Sequence, residues 1–119
     1  MTRFGFALIL ALTLAPVATH GEGAPPPTPA MLKACTESGG AFKKGGFLAV
    51  WICVVPYPDA GRVCSDDSDC KGGCILDPNL NPAPAKGEPA SGVCMANNMP
   101  FGCNTRVSNG RAQDRLCID

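Results

Sequence analysis

The sequence predicts a small, disulfide-rich, mainly β domain built from two hairpins, one short N-terminal helix and long irregular loops. Three observations predict it. Eight cysteines (Cys35, Cys53, Cys64, Cys70, Cys74, Cys94, Cys103 and Cys117) all follow residue 34 of a 119-residue chain. An even number of cysteines in so short a segment reads as a disulfide framework. Phe47 to Val55 is an unbroken apolar run rich in β-branched and aromatic side chains, too short for a membrane span and suited to a buried strand. Asn109-Gly110, finally, stands between Cys103 and Cys117, and this dipeptide accepts the positive φ angles of a tight hairpin turn.

The elements follow in chain order. Residues 1–21 read as a signal peptide: Arg3 supplies the cationic start, and Phe4 to Val17 the apolar stretch. That stretch falls short of the roughly 20 residues a membrane helix needs. Small residues then permit cleavage, with the Gly21–Glu22 bond favoured. This leader and the cysteine count predict a secreted or periplasmic protein with no membrane span in the mature chain. Residues 22–29, with Pro25, Pro26, Pro27 and Pro29, form an extended Pro-rich tether, and residues 30–119 a single disulfide-rich domain. Thr28 is placed to cap a helix that begins at Pro29, continues from Ala30 to about Glu37, and stops at Gly39-Gly40.

Lys43-Lys44-Gly45-Gly46 suggests the turn of the first hairpin. On that register Phe42 faces Ala49, Trp51 lies among buried rings, and Pro56 and Pro58 end the strand. Asp59 to Cys74 reads as short turns. Ile75 to Gly92, interrupted by Pro78, Pro82, Pro84 and Pro89, reads as an irregular exposed loop. Gly92 to Ala96 offers a short strand carrying Val93 and Met95. Phe101 to Asp119 forms the second hairpin, and Cys103 with Cys117 is the first expected disulfide. A strict two-residue turn would set Cys103 opposite Leu116, so a β-bulge at Gly110 or Arg111 is expected to restore the facing pair.

Several chemistries lack their residues. The one histidine, His20, lies in the leader or at the extreme mature N-terminus, so the folded part has no imidazole for a Ser-His-Asp triad, a Cys-His pair or a His-ligated metal. No Cys-x-x-Cys occurs, which argues against zinc and thioredoxin-type redox sites. Asp67-Ser68-Asp69 begins like a calcium loop, but Lys71 at its fifth position and Pro78 at its twelfth exclude an EF-hand. Beyond residue 21 the chain has nine Lys/Arg and ten Asp/Glu. That balance indicates neither nucleic acid nor an anionic membrane as partner. The expectation is a non-enzyme with no cofactor and no metal. Asn97 to Gly102, between Cys94 and Cys103, is the candidate recognition loop, with Met99 and Phe101 as apolar anchors.

Cys64-Ser65-Asp66-Asp67-Ser68-Asp69-Cys70-Lys71-Gly72-Gly73-Cys74 resembles the middle of whey-acidic-protein (WAP) four-disulfide-core domains, many of which inhibit serine proteases. The resemblance covers this stretch alone, and the adjacent Cys-Cys pair of that family is missing. It implies a secreted protease inhibitor as one function. The cysteine layout as a whole resembles that of small, uncharacterised secreted bacterial proteins rich in cysteine. The function expected first is an exported, disulfide-stabilised, non-enzymatic binding module for an extracellular or envelope protein. The alternative is a structural or stress-resistant envelope protein without a discrete ligand.

Overall fold

A computed structural model of the chain describes residues 23–119; the leader, His20 and the Gly21–Glu22 bond lie outside the described residues. Gly23 to Thr28 runs without regular structure into helix α1, Pro29–Glu37. The Thr28 hydroxyl accepts the Met31 N–H at 3.3 Å, and Pro29 sits in the first turn, where a missing N–H costs nothing. The helix ends at Ser38, whose N–H is taken by the carbonyls of Ala34 and Cys35. Only Cys35 of α1 is buried, and its disulfide to Cys53 fastens the helix to the first hairpin.

That hairpin consists of β1, Ala41–Gly45, and β2, Val50–Val54, as a separate two-stranded sheet. Its register differs from the one read in the sequence. Lys43 and Lys44 belong to β1 and face Ile52 and Trp51, while Phe42 faces Cys53 instead of Ala49. The turn is therefore Gly46-Phe47-Leu48-Ala49, with φ of 72° at Gly46 and 48° at Ala49. The apolar run is not one buried strand: Phe47 and Leu48 stand in solvent and only Val54 is fully buried. The reason is architectural. A two-stranded sheet has no further strands to enclose its turn: Phe101 covers one side of it at Gly45 and Gly46, and the bridge from Cys53 to Cys35 buries the opposite end near the helix. Trp51 is half-buried, its ring beneath the Lys44 ammonium at 5.1 Å.

The main sheet has five antiparallel strands in the order β3-β5-β4-β6-β7. These are β3, Val63–Cys64; β4, Cys74–Ile75; β5, Gly92–Cys94; β6, Gly102–Ser108; and β7, Arg111–Ile118. The stretch from Asp59 to Cys74, expected as turns, thus contains β3, a 3₁₀ turn at Asp67–Asp69 and the first residue of β4. Two-residue strands carry no periodicity, and only pairing with β5 and β6 makes them strands. The strand expected over Gly92–Ala96 is shorter, Gly92–Cys94, although the Met95 N–H still bonds the facing Gly73 carbonyl in the β4–β5 register.

Asn109-Gly110 closes the β6–β7 hairpin with φ of 49° and 68°, and Ser108 pairs with Arg111. The turn has two residues, without a bulge at Gly110 or Arg111. The register shift lies deeper, where Arg106 alone opposes Gln113 and Asp114. Arg106 is also held on its other side by Ile75 of β4, and its guanidinium reaches Asp67, so the extra residue is taken up by the outer strand β7. Beyond the shift Cys103 faces Cys117, and a disulfide joins them.

The core comprises Cys64, Cys74, Leu76, Cys94, Val107 and Ala112. Its cystines interleave along the chain: Cys64 pairs with Cys74, and Cys70 with Cys94. Non-reducing peptide mapping should therefore return four links, Cys35–Cys53, Cys64–Cys74, Cys70–Cys94 and Cys103–Cys117. Cleavage after Arg106 and Arg115 should leave the Cys103 peptide attached to the segment beginning at Leu116. A link from Cys117 to any other cysteine would contradict the β6–β7 register.

Candidate functional site

The candidate recognition loop does not stand free. Asn98 clamps it to the end of β2: its Oδ1 accepts the Val55 N–H at 2.8 Å, and its Nδ2 donates to the Cys53 carbonyl at 3.2 Å. Pro56 and Asn97 form a β-bridge, and the Tyr57 N–H reaches the Ala96 carbonyl. The loop is thereby a strap between the two sheets. Its flanking cysteines are bonded outwards, Cys94 to Cys70 and Cys103 to Cys117.

Met99 and Phe101 lie half-buried behind the first hairpin. The Phe101 ring covers Gly45 and Gly46 so closely that a Cβ at either would come within 2.7–2.8 Å of a ring carbon. A Cβ at Gly45 would also meet the Met99 sulfur at 3.1 Å. These two side chains back the hairpin turn, and the residues thrust outward are Phe47, 90% exposed, and Leu48, 73% exposed. Sequence reasoning placed both in a buried strand. The signal that marks them is the glycine pair just before them, which permits the turn and admits the ring behind it. Lys43 and Lys44 flank this tip, both exposed. No carboxylate occurs between Glu37 and Asp59.

The tip is thus an apolar pair on a turn braced from behind, edged by two cations. Contiguous exposed apolar surface of this kind commonly marks an interaction site. The tip's four turn residues, Gly46 to Ala49, carry no polar side chain.

The acidic turn at Cys64–Cys74, the segment with the WAP resemblance, uses its carboxylates internally. Asp66 accepts the Ser68 hydroxyl at 2.6 Å and the Asn109 N–H at 2.8 Å, tying the 3₁₀ turn to the β6–β7 hairpin. Asp69 accepts the N–H groups of Ser65 and Asp66 at 2.9 and 3.0 Å, completing a capping box. Asp67 accepts the Cys74 N–H at 2.9 Å and pairs with Arg106 at 3.1 Å. Asp59 accepts the Lys71 N–H at 2.7 Å. These oxygens hold turns in place. The Sγ atoms of Cys64, Cys70 and Cys74 lie within 4.8 Å of one another, but each is committed to a disulfide and offers no thiolate to a metal.

The Asp66 carboxyl is held well below the ordinary carboxylate range, first by the Ser68 hydroxyl and then by the Asn109 N–H. Asp69 is lowered as well, chiefly by the N–H groups of Ser65 and Asp66. Lowered folded-state values stabilise the fold above the unfolded-chain pKa of about 3.9, and this contribution is lost as pH falls through the folded values. Melting temperature should therefore vary little with pH near neutrality and fall below about pH 4. Asp66→Asn should melt lower at neutral pH and show a shallower acid limb. An acid limb identical in the variant would show that other carboxyls carry the dependence.

Two concavities lie elsewhere on the surface. A cleft of about 200 Å³ lies over β6, with Thr105, Arg115, Asp77 and Leu80 at its walls. It is smaller than the roughly 300–1,000 Å³ of ordinary ligand sites. A shallow groove of about 310 Å³ runs between α1 and the first hairpin, lined by Met31, Ala34, Phe42 and the Cys35–Cys53 bridge. The groove beside α1 is lined almost wholly by apolar atoms, whereas the cleft over β6 also carries Asp77, Asn104, Thr105 and Arg115.

In comparisons with known proteins the chain matches no protein-family model, no curated protein and no solved structure.

Proposed function

We propose that this chain is an exported, non-enzymatic binding module, secreted or periplasmic, whose contact surface is the Phe47–Leu48 hairpin tip. The observation that carries the reading is the exposure of these two side chains on a turn braced by Phe101. A rigid support lowers the ordering cost of binding, so even a small apolar contact gives net affinity. Four disulfides suit an oxidising compartment, where such bonds persist. Among the described residues no helix is long and apolar enough to cross a membrane.

The alternative, an inert structural protein, predicts no dependence on the tip. Isolated cell envelopes separate the two. The oxidised protein should be retained on envelopes, and Phe47→Ser/Leu48→Ser should be released into the soluble fraction. Both positions face solvent, so the double variant keeps its fold and disulfides. Equal behaviour of the two proteins would remove the tip as binding surface.

A further inference from the structure

We infer that the Phe47–Leu48 tip seats in the headgroup layer of an anionic phospholipid bilayer, an assignment that rests on the reading of this tip as the binding surface. Three features select lipid. The first is shape. Phe47 and Leu48 protrude from the end of a two-stranded sheet, 90% and 73% exposed. A specific protein interface usually covers about 800 Å² on each partner and builds pockets around its anchors. A fluid interface receives a narrow apolar projection with no complementary cavity.

The second feature is charge. Residues 38–58 carry Lys43 and Lys44 and no acid, whereas residues 59–119 carry eight acids against six cations. The near-zero net charge of the whole chain hides this separation. Lysines beside an inserted apolar pair sit at headgroup depth, with their stems along the apolar layer and their ammonium groups among phosphates. The acid-rich part faces the opposite requirement and is repelled by the same surface. The charge separation therefore orients the molecule tip-first.

The third feature is the aromatic ring behind the tip. Trp51 lies one residue beyond the start of β2, half-buried and capped by Lys44. Tryptophan favours the boundary between headgroups and chains because its ring is apolar and its N–H is polar. Each strand of the hairpin has five residues, a reach of about 17 Å. Interfacial elements sink only about 5–10 Å. The tip and Trp51 thus reach that depth while the Asn98 strap stays in water.

The test uses oxidised protein recovered from producing cells, with its N-terminus and disulfide content read by intact mass so that no leader contributes. It is titrated with vesicles of phosphatidylglycerol and phosphatidylcholine, and separately with phosphatidylcholine alone. Trp51, the sole tryptophan, should shift to shorter wavelength on the anionic vesicles. Binding should weaken about tenfold or more on neutral vesicles and fall with added salt. Phe47→Ser/Leu48→Ser should lose about 100-fold in partitioning. Lys43→Gln and Lys44→Gln should each lose about fivefold. Phe47→Trp should retain binding, which guards against a trivial folding defect. Absence of vesicle binding, or binding equal in the tip double variant, overturns the inference. If envelope retention still depends on the tip while vesicles are ignored, the partner is a protein and the binding reading survives without the lipid. Loss of both results removes both.

Discussion

Reduction of all four disulfides should unfold this protein at room temperature, with Trp51 emission moving to the wavelength of indole in water. The expectation follows from what the core contains. Of its six buried members three are half-cystines, leaving Leu76, Val107 and Ala112 as the apolar side chains. A domain of this size buries too little apolar surface to be comfortably stable by packing alone. Each closed loop, in contrast, removes unfolded-state entropy equivalent to roughly 3 kcal/mol. Four loops together are comparable with the whole net stability of a typical domain, about 5–15 kcal/mol. The Cys64–Cys74 and Cys70–Cys94 loops interleave, so both constrain the same centre. Trp51 sits in a two-stranded sheet, an element marginal by itself, and is held by the Cys35–Cys53 bridge and the Asn98 clamp. Its fluorescence and the near-UV circular dichroism should therefore collapse together. Emission unchanged after complete reduction would show that packing suffices.

Gly92→Ala should destabilise the main sheet strongly. Gly92 is buried in β5, paired with Cys64 on one side. A Cβ there would come within 2.3 Å of the Ile75 carbonyl oxygen and 3.0 Å of the Cys74 sulfur. The first obstacle is backbone in the neighbouring strand and the second belongs to a disulfide, so neither yields by a rotamer change. Room would come only from parting β4 and β5 at the centre of the core. Forced overpacking of this kind costs about 1–3 kcal/mol, more where backbone must move. For a domain of this size that lowers the melting temperature by roughly 5–20 °C. Gly61→Ala isolates the other source of glycine cost, since its Cβ meets nothing within 4 Å and only φ, +77°, opposes a side chain. It should cost only the left-handed conformation, about 1–2 kcal/mol. Equal melting of Gly92→Ala and the unsubstituted protein would mean that the β4–β5 contact is looser than described.

The local signals in the chain decided local structure. Thr28 before Pro29 supplies a hydroxyl and a preset φ, and α1 begins there whatever packs against it. Asn109-Gly110 tolerates two positive φ angles, and the second hairpin turns there. The class of the domain, small, cross-linked and mainly β, follows from cysteine count and thin apolar content. Tertiary structure decided the rest, where the local signals permitted more than one choice. Lys43 to Gly46 and Gly46 to Ala49 both permit a turn; the second wins because Cys53 must reach Cys35 and Phe101 must lie over Gly45 and Gly46. The two-residue strands β3 and β4 acquire that state only from their partners. The bulge sits opposite Arg106 because contacts with β4 and Asp67 pin that residue, leaving β7 to absorb the mismatch. Side-chain hydrophobicity alone assigned Phe47 and Leu48 to the interior. Their exposure depends on how many layers of sheet surround them, and a sequence pattern of single-residue hydrophobicity does not encode that number.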